Sequence, residues 1–407
     1  MISPRSQTLV DPSQAVVFVI GGVLFLFFAT SPLAGFALAW VVLAFARPLT
    51  GRTLLLCGAL IAVSLSLCYA SRRIGGSPYD DFYNSYYPAF LAIKNGTLRQ
   101  SFLDRFVTFE FSDAEIGLPL LFGAIGSIPV EVSGSLLIFI LTGACSALYL
   151  TWLLKYFLPE IPSGYRPAAA LLCMSLFSYG LCSQTARQML SIPLLLMAIW
   201  ERRPGVALLL AGLGSIFHVS AMIVWIVAIV LRNKFGIGFA VLLLGLIATY
   251  FNFDWIMASI ASGTDFGIDK LLYYTSGNED AFGFDAQFVP IFIFVTVGAF
   301  LMRRYRAGEI SRVLLFAVAA FFLLLPLPLA SFRLTLFVSA ALLGPIVCLV
   351  LTPRLSSSMF AAICAAMSLF MIGRRVFIVD SSSGMELWHQ FSAIESAPFA
   401  YLGAIVQ

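Results

Sequence analysis

The chain has 407 residues, of which 60% are hydrophobic and only 11% are charged, whereas a soluble globular domain carries roughly 25% charged residues. This composition excludes a soluble globular domain and indicates an all-α, polytopic membrane protein. The net charge of +4 is too small to point to a nucleic-acid partner, and it fits Lys and Arg residues retained in cytoplasmic turns.

Apolar runs follow one another along the chain, and they predict about 13 transmembrane helices in a single integral membrane domain that covers residues 1–407. A helix that crosses a bilayer needs about 20 apolar residues. The predicted spans are Val16–Thr30, Leu33–Ala46, Thr53–Ala70, Ser133–Phe157, Ala168–Leu181, Met189–Trp200, Val206–Ile216, Val219–Leu231, Phe235–Phe251, Phe288–Met302, Val313–Leu329, Leu334–Leu351 and Phe360–Ile372. One further apolar run, Leu118–Val130, is too short to cross a bilayer and is predicted to be a re-entrant or interfacial half-helix.

Basic residues in the connecting turns set the orientation, because Lys and Arg are retained on the cytoplasmic side. Short basic turns such as 201–205 are therefore placed in the cytoplasm, and the two long polar stretches, 72–115 and 252–287, become periplasmic loops. Arg72 and Arg73 fall on the outside, against the rule. Either the scheme fails there, or these arginines bind an anionic lipid or headgroup.

The first periplasmic loop is rich in tyrosine. Tyr83, Tyr86 and Tyr87 follow one another at i, i+3 and i+4, the spacing of one helix face. This pattern fits an interfacial helix with its tyrosines at headgroup level. It also fits a carbohydrate platform on which sugar rings stack while carboxylates bind hydroxyl groups, and both interpretations can hold together.

Three carboxylates of the same loop, Asp80, Asp81 and Glu115, are candidates for acid–base chemistry. A carboxylate that faces a hydrophobic wall can have its pKa raised and then serve as an acid or a base. The spacing leaves open which of the three does so.

The hairpin 183–221 carries the strongest single candidate, Arg187. Its two helices leave the same basic turn, so Arg187 and His218 are expected to return to the same, periplasmic side. Gln184 and Gln188 flank the arginine, predict a polar face and are, with Arg187, candidate substrate-binding residues. Because acids are absent from its sequence neighbourhood, we expect the guanidinium to bind an anion, and its planar fork suits a phosphate or pyrophosphate. The alternative is an arginine that snorkels to the interface.

His218 and Arg333 complete the candidate site. A histidine near a helix end is either a structural hydrogen-bonding group, here with Ser215 or Ser220, or a catalyst. Arg333 lies at another predicted periplasmic tip. Two arginines and a histidine beside an acidic, aromatic loop predict a site for an anion and a sugar.

The positions of the Cys and His residues do not favour a metal site. The seven cysteines lie in apolar segments and form neither a CxxC pair nor a Cys/His cluster, as expected of small apolar residues in membrane helices. His389 is the only histidine besides His218, so a zinc site is improbable. We expect no metal and no cofactor.

The order of these motifs extends over most of the chain, from about Ser77 to Pro398. The motifs are Tyr79-Asp80-Asp81-Phe82, Glu115-Ile116-Gly117, Arg187-Gln188, Phe217-His218-Val219-Ser220-Ala221, Arg333 and Pro398-Phe399. This pattern resembles the EpsG family of bacterial polysaccharide polymerases, which are related in role to the Wzy O-antigen polymerases. The block from Arg-Gln to His-x-Ser carries most of the resemblance.

The resemblance implies a glycosyltransferase of the inner membrane that joins oligosaccharide repeat units carried on undecaprenyl pyrophosphate, at the periplasmic face. Arg187 and Arg333 would stabilise the charge on the leaving pyrophosphate, and one of the carboxylates or His218 would remove the proton of the acceptor hydroxyl. The expected partners are the lipid-linked oligosaccharide, membrane lipids, and the chain-length regulator and flippase of the same pathway.

Other functions stay open on the sequence alone. An O-antigen ligase would use the same donor with a lipid A core acceptor. A polyprenyl-phosphate-sugar glycosyltransferase would use a metal and an acidic motif such as Asp80-Asp81. A flippase of lipid-linked oligosaccharides would need a charged cavity open to both faces, whereas the candidate residues gather at one face.

Overall fold

A computed structural model gives the fold of most of the chain. The residues that it describes are 12–46, 49–76, 80–96, 115–233, 235–251, 293, 295–299, 301, 308–323 and 335–377. Every regular element in these ranges is a helix, which confirms the predicted all-α class.

The helices follow one another in a simple order. They are α1 (Pro12–Thr30), α2 (Pro32–Phe45), α3 (Gly51–Ala70), α4 (Tyr87–Lys94), α5 (Gly117–Gly126), α6 (Gly134–Trp152), α7 (Arg166–Leu176), α8 (Leu181–Gln184), α9 (Ala186–Trp200), α10 (Pro204–Phe217), α11 (Ser220–Asn233), α12 (Phe235–Phe251), α13 (Gly308–Leu323), α14 (Leu343–Leu351) and α15 (Ser357–Phe377). Short π-helices cover Phe82–Tyr86, Leu153–Phe157 and Val338–Leu342, and 3-10 turns cover Leu158–Glu160 and Ser163–Tyr165.

Hydroxyl side chains cap the N-termini of several of these helices. The Oγ of Ser31 accepts from the Leu33 N–H at 3.2 Å, and Pro32 occupies the first turn of α2, where its missing N–H costs nothing. Thr50 and Ser133 cap α3 and α6 in the same way. The break between α1 and α2 therefore lies at Ser31-Pro32, where the sequence places it.

The predicted count of about 13 spans is not confirmed. Among the described residues, the helices long and apolar enough to cross a membrane are Gly51–Ala70, Gly134–Glu160 and Ser357–Arg374. Further apolar helices of 10–17 residues accompany them, because Pro residues and turns cut the apolar runs. The 10-residue α5 is about 15 Å long, half of a bilayer core, as a half-helix requires. The loop 252–287 lies outside the described residues.

The α9–α10 hairpin positions the candidate site. Glu201 closes its turn, because Oε1 accepts from the N–H groups of Arg202 and Arg203 at 3.0 and 3.1 Å, and Oε2 accepts from the Tyr156 hydroxyl at 2.9 Å. The two helices pack along each other and against α11. The start of α9 and the end of α10 are therefore neighbours at the opposite end of the hairpin.

Candidate functional site

One carboxylate joins the two ends of the hairpin. Glu115 lies just before α5, and its Oε2 accepts from the Nη1 of Arg187 at 2.7 Å. Its Oε1 is 2.5 Å from Nδ1 of His218 and also accepts from the Val219 N–H at 3.2 Å. Arg187 and the adjacent residues His218 and Val219, which lie 72 to 104 residues beyond Glu115 in the sequence, thus all bind this one side chain. Arg187 has a protein partner, contrary to the expectation drawn from its sequence neighbours.

The ionisation of Glu115 fixes the histidine tautomer. Burial alone would raise the pKa of this carboxyl, but the hydrogen bond and charge of His218, together with the charge of Arg187, lower its pKa below the usual value. An ionised carboxylate can only accept hydrogen bonds, so the Nδ1 of His218 carries the proton. In the neutral ring, Nε2 then holds the basic lone pair.

Local backbone geometry brings His218 to Glu115. Helix α10 ends at Phe217, and His218 adopts an extended conformation while its N–H still bonds to the Gly214 carbonyl at 2.9 Å. Helix α11 begins two residues later. A Cβ on Gly117 would lie 2.8 Å from the Phe217 ring, so only glycine allows α5 to approach α10 this closely.

A second buried network surrounds Asp80. Its side chain has no exposed surface, and it forms a two-pronged ion pair with Arg72: Nη1 and Nη2 each lie 2.9 Å from one carboxylate oxygen. The Nε2 of Gln184 and the N–H of Gly75 donate to the same carboxylate at 2.9 and 3.1 Å. Burial alone would raise the pKa of Asp80, but the hydrogen bonds and charge of Arg72, aided by Gln184 and Gly75, hold it below its usual value.

The two networks border one pocket of about 270 Å³, part of which is open to the outside. Its lining residues are Asp81, Tyr86, Thr185, Arg187, Gln188 and His218. Tyr86 hydrogen-bonds to the Arg187 guanidinium, and the charge of Asp81 acts on it as well. The Arg187 side chain keeps 38% of its surface exposed. The pocket therefore presents a cation, a carboxylate, a histidine and an aromatic ring to the same small space.

Comparison with known proteins identifies the family. A sequence model of the EpsG family matches residues 56–390 of the chain. The chain belongs to the EpsG family. This family comprises Wzy-like polysaccharide polymerases, and the match contains both networks and every residue that lines the pocket. Searches of curated proteins and of solved structures find no match to the chain.

In this EpsG-family protein, the polar residues predicted for the site fall into two groups, those that line the pocket and those that hold the lining residues in place. Arg187, His218, Gln188 and Asp81 line the pocket, while Glu115 holds the first two in place. Asp80 and Gln184 lie in the buried network behind it. Arg333 is outside the described residues.

The three tyrosines do not share one surface. Tyr86 lines the pocket, whereas Tyr87 stacks between Phe82 and Phe90 with ring centroids 5.8 and 6.5 Å away. Tyr83 is 51% exposed and lies over Gly75. The π-helix at Phe82–Tyr86 explains this division, because it widens the turn and alters the spacing on which a shared α-helical face depends.

Sequence reasoning missed two contributors to the site, Arg72 and Thr185, and it named Gly117 only as part of a motif. Arg72 did give a signal, since it lies on the wrong side of the predicted topology; its partner is Asp80 rather than a lipid headgroup. Within the described ranges, no three His, Cys, Asp or Glu side chains gather as a metal site requires. The expectation of a metal-independent reaction stays a prediction.

The Arg72–Asp80 pair should make the stability of the protein fall in acid. The folded-state pKa of Asp80 lies below the unfolded value of about 3.9, so its contribution is complete above about pH 4 and is lost as the pH falls through the lower folded value. Asp80→Asn should remove this part of the pH dependence. It should also destabilise the fold by roughly 3–5 kcal/mol at neutral pH, because Arg72 stays buried without a countercharge.

Thermal unfolding of the purified protein in detergent, from about pH 3 to neutral, measures both effects. Glu131→Gln is the matched control, because Glu131 is exposed and should leave the wild-type curve unchanged. An Asp80→Asn variant that melts like the wild type across this range would contradict the assigned role of the pair.

Proposed function

We propose that the protein is a polysaccharide polymerase that joins undecaprenyl-pyrophosphate-linked oligosaccharide repeat units at the periplasmic face of the inner membrane. Membership of the EpsG family supports a polymerase-type function in polysaccharide biosynthesis. The observation that carries the proposal is the single carboxylate of Glu115, which holds a histidine and an arginine at one pocket.

His218 is the proposed general base. Its Nε2 takes the proton of an acceptor hydroxyl as that oxygen attacks the anomeric carbon of the donor sugar. Glu115 holds the ring through Nδ1 and stabilises the imidazolium that forms, as the carboxylate does in a catalytic triad. The new glycosidic C–O bond forms while the C–O bond to the pyrophosphate breaks. The proton is afterwards released to solvent.

Arg187 is proposed to stabilise the leaving group. The lipid pyrophosphate departs with the bonding electron pair and gains negative charge, so fixed cations beside it lower the barrier. Nη1 of Arg187 is committed to Glu115, and the Arg187 side chain, 38% exposed, lines the pocket. Arg333 is proposed as a second cation for the same group.

The remaining pocket residues are assigned to the sugars. Asp81 and Gln188 can bind hydroxyl groups, and Asp81 is the alternative base. Tyr86 lines the pocket, and Tyr83 offers an exposed side chain outside it. Because the pocket is small and partly open to solvent, we assign it to the reacting end of the repeat unit rather than to the whole oligosaccharide.

Reconstitution with lipid-linked repeat units tests the function. The purified protein in liposomes should convert them into a ladder of longer lipid-linked chains. His218→Ala should slow this conversion by roughly 10²- to 10⁴-fold, the usual contribution of a general base, while its melting temperature in detergent shows whether it is folded. Product that forms only with a lipid A core acceptor would indicate a ligase. Movement of labelled lipid across the bilayer without product would indicate a flippase, and both results contradict the proposal.

Arg187→Lys tests the role of the guanidinium. Lysine keeps the charge but loses the planar fork, so kcat should fall by about 10- to 100-fold, less than complete loss of a transition-state donor costs. Arg203→Lys is the matched control, because the same change at the other end of the α9–α10 hairpin lies away from the pocket. Normal polymerisation by Arg187→Lys would exclude a forked contact with the pyrophosphate.

A further inference from the structure

The buried Arg72–Asp80 pair is placed where it can control the shape of the pocket. Arg72 follows α3 and is 2% exposed, and its partner is 0% exposed. Both terminal nitrogens of the guanidinium bind the carboxylate, while Nη1 also donates to the Arg73 carbonyl at 3.1 Å. The Phe82 ring covers the guanidinium at 5.5 Å. Neither Arg72 nor Asp80 lines the pocket.

A single amide connects this ion pair to the pocket wall. The Nε2 of Gln184 donates to Oδ1 of Asp80 at 2.9 Å, and its Oε1 accepts from the N–H of Asp81 at 3.1 Å. The donor end and the acceptor end of the amide are thus both engaged with neighbouring residues. An amide satisfies these two partners in one orientation only, so the connection is specific for position as well as for charge.

The connection joins two sets of pocket-lining residues, which form two walls of the pocket. On one side, Asp81 leads into the π-helix that carries Tyr86. On the other side, Gln184 is the last residue of α8, and Thr185 and Arg187 follow it directly. Asp81, Tyr86, Thr185 and Arg187 all line the pocket. The relative position of the acidic, aromatic wall and the cationic wall is therefore held by Gln184 and Asp80, together with the hydrogen bond between Tyr86 and Arg187.

We propose that Arg72, Asp80 and Gln184 form a clasp, a positioning unit that sets the separation of the two pocket walls for the polymerisation proposed above. The three residues act through Asp81, Tyr86 and Arg187 and do not touch the substrate. This assigns Gln184, predicted from sequence to bind substrate, and Asp80, predicted to be catalytic, to positioning. It also gives a role to Arg72, which the predicted topology left unexplained.

The energetics of the pair fit a positioning role. Replacing a buried ion pair by apolar residues is often neutral or stabilising, so such a pair is weak evidence for stability. The Nε of Arg72 is buried without a hydrogen-bond partner in the described part of the chain, which adds to the cost. What the clasp provides is a fixed geometry, and a displacement of about 1 Å at a reacting group can lower the rate roughly 100-fold.

A polarity swap tests the clasp. Gln184→Glu sets a second carboxylate against Asp80, and Asp80→Asn removes the charge that Arg72 needs, so each single variant should lose roughly 100-fold in kcat/KM. The double variant Asp80→Asn/Gln184→Glu again has one amide and one carboxylate. Asn at position 80 can donate to Glu at position 184, which still accepts from the Asp81 N–H and returns one negative charge to the surroundings of Arg72, while the two-pronged contact of Arg72 is lost. The swap should therefore recover the part of the loss that passes through position 184, about tenfold over the worse single variant, as expected of coupled neighbours.

Hydrogen exchange of peptides from residues 80–94 is the second readout, because it reports the Asp81 N–H side of the clasp without turnover. Exchange should be faster in Gln184→Glu and return towards wild type in the double variant. A swap that recovers neither rate nor protection overturns the clasp, as does a Gln184→Glu variant with wild-type turnover. If the wild type makes no polymer, the proposed function fails, and the exchange data alone decide whether the clasp holds the segment.

Discussion

The site depends on the ion pair and hydrogen bond that Glu115 makes with Arg187 and His218. Two positive or potentially positive groups at the end of one helical hairpin would repel each other without a carboxylate between them. Glu115 removes this repulsion and fixes the proton on Nδ1 of His218. The glycine at 117 lets the half-helix α5 come close enough to place that carboxylate. The breaks in the helices around the site are therefore requirements of the geometry rather than irregularities.

The sequence predicts the class and part of the site. Hydropathy predicts an all-helical membrane protein, and the basic turn at the end of α9 brings Arg187 and His218 to the same end of the hairpin. The partner of Arg187 could not be predicted, because Glu115 lies 72 residues away and no local pattern records a contact across space. The count of about 13 spans stays unconfirmed. Hydropathy measures the length of apolar runs, whereas the described helices that are long and apolar enough to cross a membrane are fewer and are accompanied by shorter apolar helices.

The described structure separates residues that line the pocket from residues that hold them. Arg187, His218 and Asp81 line the pocket, and behind them lie Asp80, which is buried, and Glu115, which is mostly buried; the pKa values of both carboxylates are lowered by their cationic partners. Glu115 and Asp80 thus stay ionised at neutral pH, which suits anchoring better than proton transfer. The glycosyl transfer proposed above would gain from such a preformed site, since electrostatic stabilisation costs no reorganisation during the reaction.

The most direct test of this account is the turnover of Glu115→Gln on lipid-linked repeat units. The amide is uncharged, so it neither stabilises the proton on Nδ1 of His218 nor forms an ion pair with Arg187. We therefore expect kcat to fall by up to about 10⁴-fold, the effect of the corresponding change in a catalytic triad. Glu131→Gln makes the same change at an exposed position that does not line the pocket, and it should polymerise normally. A folded Glu115→Gln variant that works at the wild-type rate would contradict the central claim that this carboxylate organises the site.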